Sequence, residues 1–200
     1  VLAADRFGFR RMYYAVTADG IAFGSRVKSP LALPGCSQAL DPDAIYAYLN
    51  FGTVPAPQSI YKAVRRLAPG QALVWEDGRM TLEQYWDVTY SERSLGRVAA
   101  ARAIYGQTAE AVRQTLTGLK AKETGAFLSG GTDSSAVVGL MSRLTGERVQ
   151  AFSIGFQEER YNELEYAELA ARHFDAAHYA RIVTADEALR CLPDIVSAYD

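Results

Sequence analysis

A seven-residue segment, Ser129-Gly130-Gly131-Thr132-Asp133-Ser134-Ser135, constrains this chain more than any other feature. Before it runs the short apolar stretch Thr124-Gly125-Ala126-Phe127-Leu128, which reads as a strand. After it, the pattern reads as a helix from about residue 133 to 144. A strand that ends in two glycines and reopens as a helix belongs to an open parallel sheet, where ligands sit at the carboxyl ends of the strands. The residue types indicate what kind of ligand. Adjacent glycines let the backbone turn sharply and approach a ligand without a Cβ clash. A helix start aims its unpaired N–H groups and the positive end of its dipole at the same point. Ser129, Ser134 and Ser135 add hydroxyls. Together these predict a site for a pyrophosphate-like anion.

Spacing removes three rival readings. A Walker A loop needs a lysine after GxxxxG, and none follows these glycines. The GxGxxG of a dinucleotide fold is absent. A GxSxG nucleophile elbow is absent as well, because neither Ser129 nor Ser134 has glycines at both flanking positions. The plain alternative is a tight Gly-Gly turn capped by serines with no ligand, and the strand–helix junction weighs against it.

The flanking sequence divides in two. Residues 1–90 read as short strands and turns. Met12–Val16 and Ile21–Phe23 flank Ala18-Asp19-Gly20, and Gln71–Trp75 and Met80–Leu82 flank Glu76-Asp77-Gly78. An Asp-Gly pair between apolar runs predicts a hairpin in each case. Asp41-Pro42-Asp43 predicts a capped helix through Leu49. A polar stretch near 87–97 marks the boundary, giving domains 1–90 and 91–200. Beyond it, apolar residues at three- and four-residue steps from Val98 to Leu116 predict a long helix. A strand at 148–154, a helix at 162–173 and a strand from His178 to Val183 follow. Thr184-Ala185-Asp186-Glu187 has capping-box spacing and opens another helix. Helices alternating with strands imply a parallel, helix-covered sheet.

Composition narrows the function classes. The 200 residues carry a net charge of −2 with both signs mixed, which gives no footprint for nucleic acid. Arg10-Arg11 and Arg65-Arg66 read as surface pairs. Cys36 and Cys191 show no metal spacing, and His173 and His178 are the only histidines, so no zinc site is expected and the thiols are expected to be reduced. No stretch is apolar enough to span a membrane. Tyr13, Tyr14, Tyr46, Tyr48, Tyr85 and Tyr90 read as half-buried packing. Asp5 and Arg6 read as a salt pair in a turn, His173 as a surface residue, and His178 as structural. Val1 is not an initiator methionine, so the chain reads as part of a longer protein, truncated at both ends, with exposed sheet edges and apolar patches.

The loop resembles the ATP-pyrophosphatase loop of the asparagine synthetase family, whose pattern is SGGxDSS after an apolar strand. Phe152-Ser153-Ile154-Gly155-Phe156 and Tyr161–Ala167 are similar to the segments that follow it in that family. Upstream, Asp5–Tyr14 resembles its DRFGIRPLYY segment, and Tyr46–Asp87 resembles the end of its glutaminase domain, with Phe51-Gly52-Thr53-Val54-Pro55, Leu67-Ala68-Pro69-Gly70 and Tyr85-Trp86. The resemblance is collinear over nearly the whole chain. Arg11 stands where the family has proline, and Thr132 where it has an aliphatic residue.

The resemblance implies a fold class: the α+β end of an N-terminal-nucleophile glutaminase domain, then an α/β parallel-sheet ATP-pyrophosphatase domain of the adenine nucleotide alpha hydrolase type. It implies a cytoplasmic, glutamine-hydrolysing asparagine synthase that uses ATP and Mg2+, with aspartate or another carboxylate as acceptor and ammonia from glutamine as donor. A homodimer of the full-length enzyme is compatible with it. ATP would lie on Leu128, Ser129, Gly130, Gly131, Thr132, Asp133, Ser134 and Ser135, with the adenine against Ile154 and Gly155. Asp133, the one carboxylate of the loop, either positions magnesium and serves catalysis or caps the helix; both readings stand. The family's catalytic cysteine would precede Val1, and its SGEGSDE motif would follow Asp200, so the isolated chain is expected to be inactive. A β-lactam synthetase or lasso-peptide cyclase would share the loop and differ in the acceptor pocket. A scaffold without turnover would keep the fold alone.

Overall fold

A computed structural model of the chain describes residues 1–18, 20–92, 94–120 and 123–199. Asp19, expected in the first hairpin turn, and Arg93, expected in the interdomain stretch, lie outside the described residues. The chain forms two compact units, Val1–Ser91 with Asp194–Asp200, and Glu92–Pro193. Among the described residues no helix is long and apolar enough to cross a membrane.

The first unit holds two three-stranded antiparallel sheets. In one, β1 (Leu2–Ala3), β5 (Gln71–Glu76) and β6 (Arg79–Gln84) lie in that order; in the other, β2 (Tyr13–Thr17) is central between β3 (Gly20–Gly24) and β4 (Arg65–Arg66). Both hairpins expected from Asp-Gly pairs are present. In the β5–β6 turn, Asp77 and Gly78 have φ of 49° and 74°. Two consecutive positive values match the twist of the flanking strands. Strand β2 is buried on both faces. Tyr14 packs with Ala4, Leu67 and Leu73, while Tyr13 and Ala15 pack with Val27 and Val64. Side chains alternate across a strand, so one strand feeds both clusters. Helix α1 (Pro42–Phe51) starts where the Asp41 carboxylate accepts from Asp43 N and ends at Gly52 with φ 66°.

Three expectations for this unit are corrected. Asp5 does not pair with Arg6; its carboxylate accepts from the backbone N–H groups of Phe7, Phe9 and Arg10. Tyr46, Tyr48, Tyr85 and Tyr90 are exposed, and only Tyr13 and Tyr14 of that set are buried. Arg65-Arg66 is the short strand β4, with Arg66 half-buried beside β2. Both thiols are free, Cys36 half-buried and Cys191 exposed.

The second unit is built on a parallel sheet in the order β7 (Gly125–Phe127), β8 (Gln150–Phe156), β9 (Ala177–Val183). The helices are α2 (Arg97–Leu116), α3 (Thr132–Thr145), α4 (Leu164–His173) and α5 (Ala185–Tyr199), the last reaching into the residues grouped with the first unit. A single turn of 3-10 helix, Glu159–Tyr161, precedes α4. The core joins Leu128, Val138, Met141, Val149, Ala151, Ala167, Ala171 and Ala176. Where α4 meets β8 the buried residues are Ala167, Ala171 and Ala151, small enough for the backbones to pack closely. Along β8, Ala151, Ser153 and Gly155 are buried, and Phe152, Ile154 and Phe156 are exposed. The helix-covered sheet expected from the sequence is therefore covered on one face among the described residues. The other face presents Phe127, Phe152, Ile154 and Tyr179, with the rings of Phe152 and Tyr179 stacked 5.2 Å apart. The capping box of α5 is complete: Thr184 N donates to Glu187 Oε2 at 3.0 Å, and Glu187 N to Thr184 Oγ1 at 3.2 Å.

Candidate functional site

The glycine-serine loop leaves the carboxyl end of β7. Pairing of β7 with β8 runs through Phe127 and Phe152, and Leu128 N extends it by donating to Phe152 O at 2.8 Å. Leu128 is 1% exposed and packs in the core, so its side chain is closed to any ligand and only its backbone borders the loop. Gly130 then turns the chain with φ 82°. This turn is pressed onto the start of α4: a Cβ on Gly130 would stand 2.5 Å from Ala167 N and from Tyr166 Cβ. Position 130 requires glycine for its dihedral angle and for this close approach.

Gly131 is the residue before α3, in extended conformation, and no side chain caps the helix. The first N–H groups of a helix have no partner within it. Here Thr132, Asp133 and Ser134 occupy those positions, with the residue before them unable to cap because it lacks a side chain. The serine hydroxyls hold the loop to itself instead. Ser129 N donates to Ser134 Oγ at 3.2 Å, the two hydroxyls lie 2.9 Å apart, and Ser134 Oγ donates to Gly131 O at 3.3 Å. Gly131 N donates weakly to Ser129 Oγ at 3.4 Å. Ser135 N is already intrahelical, bonded to Gly131 O at 3.1 Å. The result is an exposed, internally braced turn at a helix start whose first N–H groups have no partner within the helix, an arrangement suited to phosphate oxygens.

Asp133 is exposed in the first turn of α3. Of its two readings, capping is not what the structure shows, since the capping position is Gly131. Among the described residues, no group of three or more acidic, histidine or cysteine side chains is arranged to hold a metal. Magnesium does not need one: it binds through one or two carboxylates together with a nucleotide's phosphates. A single exposed carboxylate in the first turn of α3 fits that mode of binding.

Ile154 and Gly155, expected to border the adenine, lie in the last turn of β8's pleat and differ in orientation. Ile154 is exposed on the uncovered face. Gly155 is turned inward, where a Cβ would stand 2.4 Å from Leu164 Cδ1 and 2.9 Å from Asn162 Oδ1. Packing of the chain entering α4 explains that glycine.

One feature escaped the sequence reading. Ser153, 6% exposed, donates its hydroxyl to Leu128 O and meets His178 Nε2 at 2.7 Å. The available signal was a polar residue at a buried position of an otherwise apolar alternation. An apolar cleft of this unit, about 720 Å³ and lined by Ile104, Tyr105, Leu140 and Phe174, includes none of residues 129–135.

Residues 103–200 match the asparagine synthase family, and residues 1–86 match the glutamine amidotransferase domain. The chain belongs to the asparagine synthase family. It is 27% identical over 203 residues to asparagine synthetase [glutamine-hydrolyzing] 1 of Bacillus subtilis, covering 99% of this chain and 31% of that protein. It is 32% identical over 206 residues to a putative asparagine synthetase of Mycobacterium tuberculosis, covering 97% and 30%. A putative asparagine synthetase of Methanocaldococcus jannaschii is 30% identical over 185 residues, covering 88% and 34%. The chain thus spans about a third of the length of these curated relatives. The glycine-serine loop and its supporting strands fall in the part that matches the asparagine synthase family.

Proposed function

We propose that this chain carries the pyrophosphate half of an ATP site in a glutamine-dependent asparagine synthase, with the end of its glutaminase domain preceding it. The observation that carries the reading is the Gly130 turn opening onto an uncapped helix start. In the reaction, an oxygen of the aspartate side-chain carboxylate attacks the α-phosphorus of ATP. The bond to the β-phosphate oxygen breaks, and pyrophosphate leaves with the electron pair. Ammonia then attacks the acyl carbon of β-aspartyl-AMP, and AMP departs. The developing charge on pyrophosphate falls where the N–H groups of Thr132, Asp133 and Ser134 converge. These donors are fixed before the substrate arrives, because the Ser129–Ser134 contacts and the Tyr166–Ala167 floor hold the turn. Asp133 would hold magnesium, which when bound shares the pyrophosphate charge. Backbone at Ile154 supplies the adenine border.

The test is the product pair formed by the enzyme expressed from its complete reading frame. With ATP, aspartate and ammonia it should release AMP and pyrophosphate, and aspartate should stimulate exchange of labelled pyrophosphate into ATP. Release of ADP and phosphate would overturn the reading. Exchange stimulated by a different carboxylate in place of aspartate would keep the chemistry and change the substrate.

A further inference from the structure

The hydroxyl of Ser153 has one hydrogen and two neighbours. Leu128 O can only accept, so the Ser153 hydrogen goes there. His178 Nε2, 2.7 Å away, must then donate its own hydrogen to Ser153 Oγ. This fixes the ring as protonated at Nε2. The bonds therefore run one way, from His178 on β9 through Ser153 on β8 to the end of β7. They continue the sheet ladder where it stops, since the last backbone bond between the two strands is that from Leu128 N to Phe152 O.

The Leu128 carbonyl lies in the same planar peptide as Ser129 N–H. Holding one end of that plane aims the other. Ser129 N–H is aimed at Ser134 Oγ, the hydroxyl that braces the glycine turn through Gly131 O. Leu128 N is tied to Phe152 O, and the Leu128 side chain is locked in the core. The tilt of the Leu128–Ser129 peptide is held from its carbonyl end by Ser153 and from its N–H end by Ser134.

We propose that Ser153 and His178 are positioning residues for the pyrophosphate loop, His178 acting through Ser153 and Ser153 through the Leu128–Ser129 peptide. The inference rests on the ATP reading above and adds two residues to it. Neither residue touches the nucleotide. Removing the hydroxyl leaves a buried carbonyl without its donor and lets the peptide tilt. The effect expected of breaking this hydrogen bond is a weakening of ATP use, because the peptide it holds belongs to the loop proposed for the pyrophosphate.

The experiment is pyrophosphate exchange in the enzyme from its complete reading frame, with KM measured separately for ATP and for the carboxylate. Ser153→Ala should raise the KM for ATP about tenfold and leave that for the carboxylate within about twofold. His178→Leu should act in the same direction, and His178→Gln, which keeps a donor near the Nε2 position, should restore the KM for ATP to within about twofold of wild type. The double variant Ser153→Ala/His178→Leu should be no worse than Ser153→Ala alone, because one residue acts through the other. An unchanged KM for ATP in either Ser153→Ala or His178→Leu, or an equal rise for both substrates, overturns the proposal. The His178 pair decides the matter if Ser153→Ala does not fold. Absence of exchange in the wild type overturns the ATP reading itself and the proposal with it.

Discussion

The Cα of Gly130 rests directly against Tyr166: a Cβ at position 130 would lie 2.5 Å from the Tyr166 Cβ. The turn of the loop and the first turn of α4 therefore share one contact, and the dihedral of Gly130, φ 82°, is set by it. Gly130→Ala should destabilise the protein by about 2 kcal/mol or more, combining the left-handed penalty with a clash against backbone that cannot move aside. Urea unfolding measures this. A variant within about 0.5 kcal/mol of wild type would show that the turn relaxes freely.

Asp133 offers the opposite behaviour. Its side chain is exposed and caps nothing, so Asp133→Asn should leave stability within about 0.5 kcal/mol of wild type. On the proposed function, the magnesium concentration needed for half-maximal exchange should rise by about tenfold or more. A magnesium titration of exchange activity, beside a melting curve of the same sample, separates the two effects. Loss of stability with unaltered magnesium dependence would return Asp133 to a structural role.

Asp5 gives a dependence on pH. Its carboxyl is held below the ordinary value of 3.8, first by the backbone N–H of Arg10, against some desolvation, and then by those of Phe9, Phe7 and Gly8. A carboxyl lowered on folding contributes stability that is complete above its unfolded value and is lost as pH falls through its folded value. Asp5→Asn should therefore be less stable than wild type at about pH 7, with the gap closing as the pH falls below the ordinary carboxylate value. Melting temperatures of both proteins across that range are the check. A gap that persists unchanged in acid would mean that charge is not what Asp5 contributes.

How much of this was legible in the sequence depends on how local the causes are. The Asp77-Gly78 turn, the Asp41 cap and the Thr184–Glu187 box are decided within four residues, and the sequence reading located them. The loop itself was legible because its chemistry is consecutive. The partner of Asp5 was missed since Arg6 is adjacent in sequence, while the carboxylate instead reaches N–H groups two to five residues on. Ser153 and His178 meet only because β8 and β9 pair in one register, 25 residues apart, with Ala151 beside His178. No spacing rule within one segment encodes that. The exposures of Tyr46 and Tyr48 likewise depend on what α1 packs against.

Gly139 and Phe174 test the packing that holds α3 under α4. Gly139 is buried inside α3, where alanine would normally favour the helix by about 1 kcal/mol. A Cβ there would stand 2.6 Å from Cε1 and 2.7 Å from Cζ of Phe174. That ring packs against the core and stands edge-on to His173, with centroids 4.7 Å apart, so to clear a methyl it must give up core contact and swing toward the cleft it lines. Overpacking costs about 1–3 kcal/mol, which exceeds the propensity gain. Gly139→Ala should therefore be destabilising, by about 1 kcal/mol net. Phe174→Leu removes the ring atoms that clash and costs stability by itself. In the double variant the two losses should fall short of their sum, because the new methyl occupies space the ring has left. A double-mutant cycle in urea reads this coupling. Additive losses would show that Phe174 swings clear of Gly139, and that the glycine is kept for some cause other than the ring.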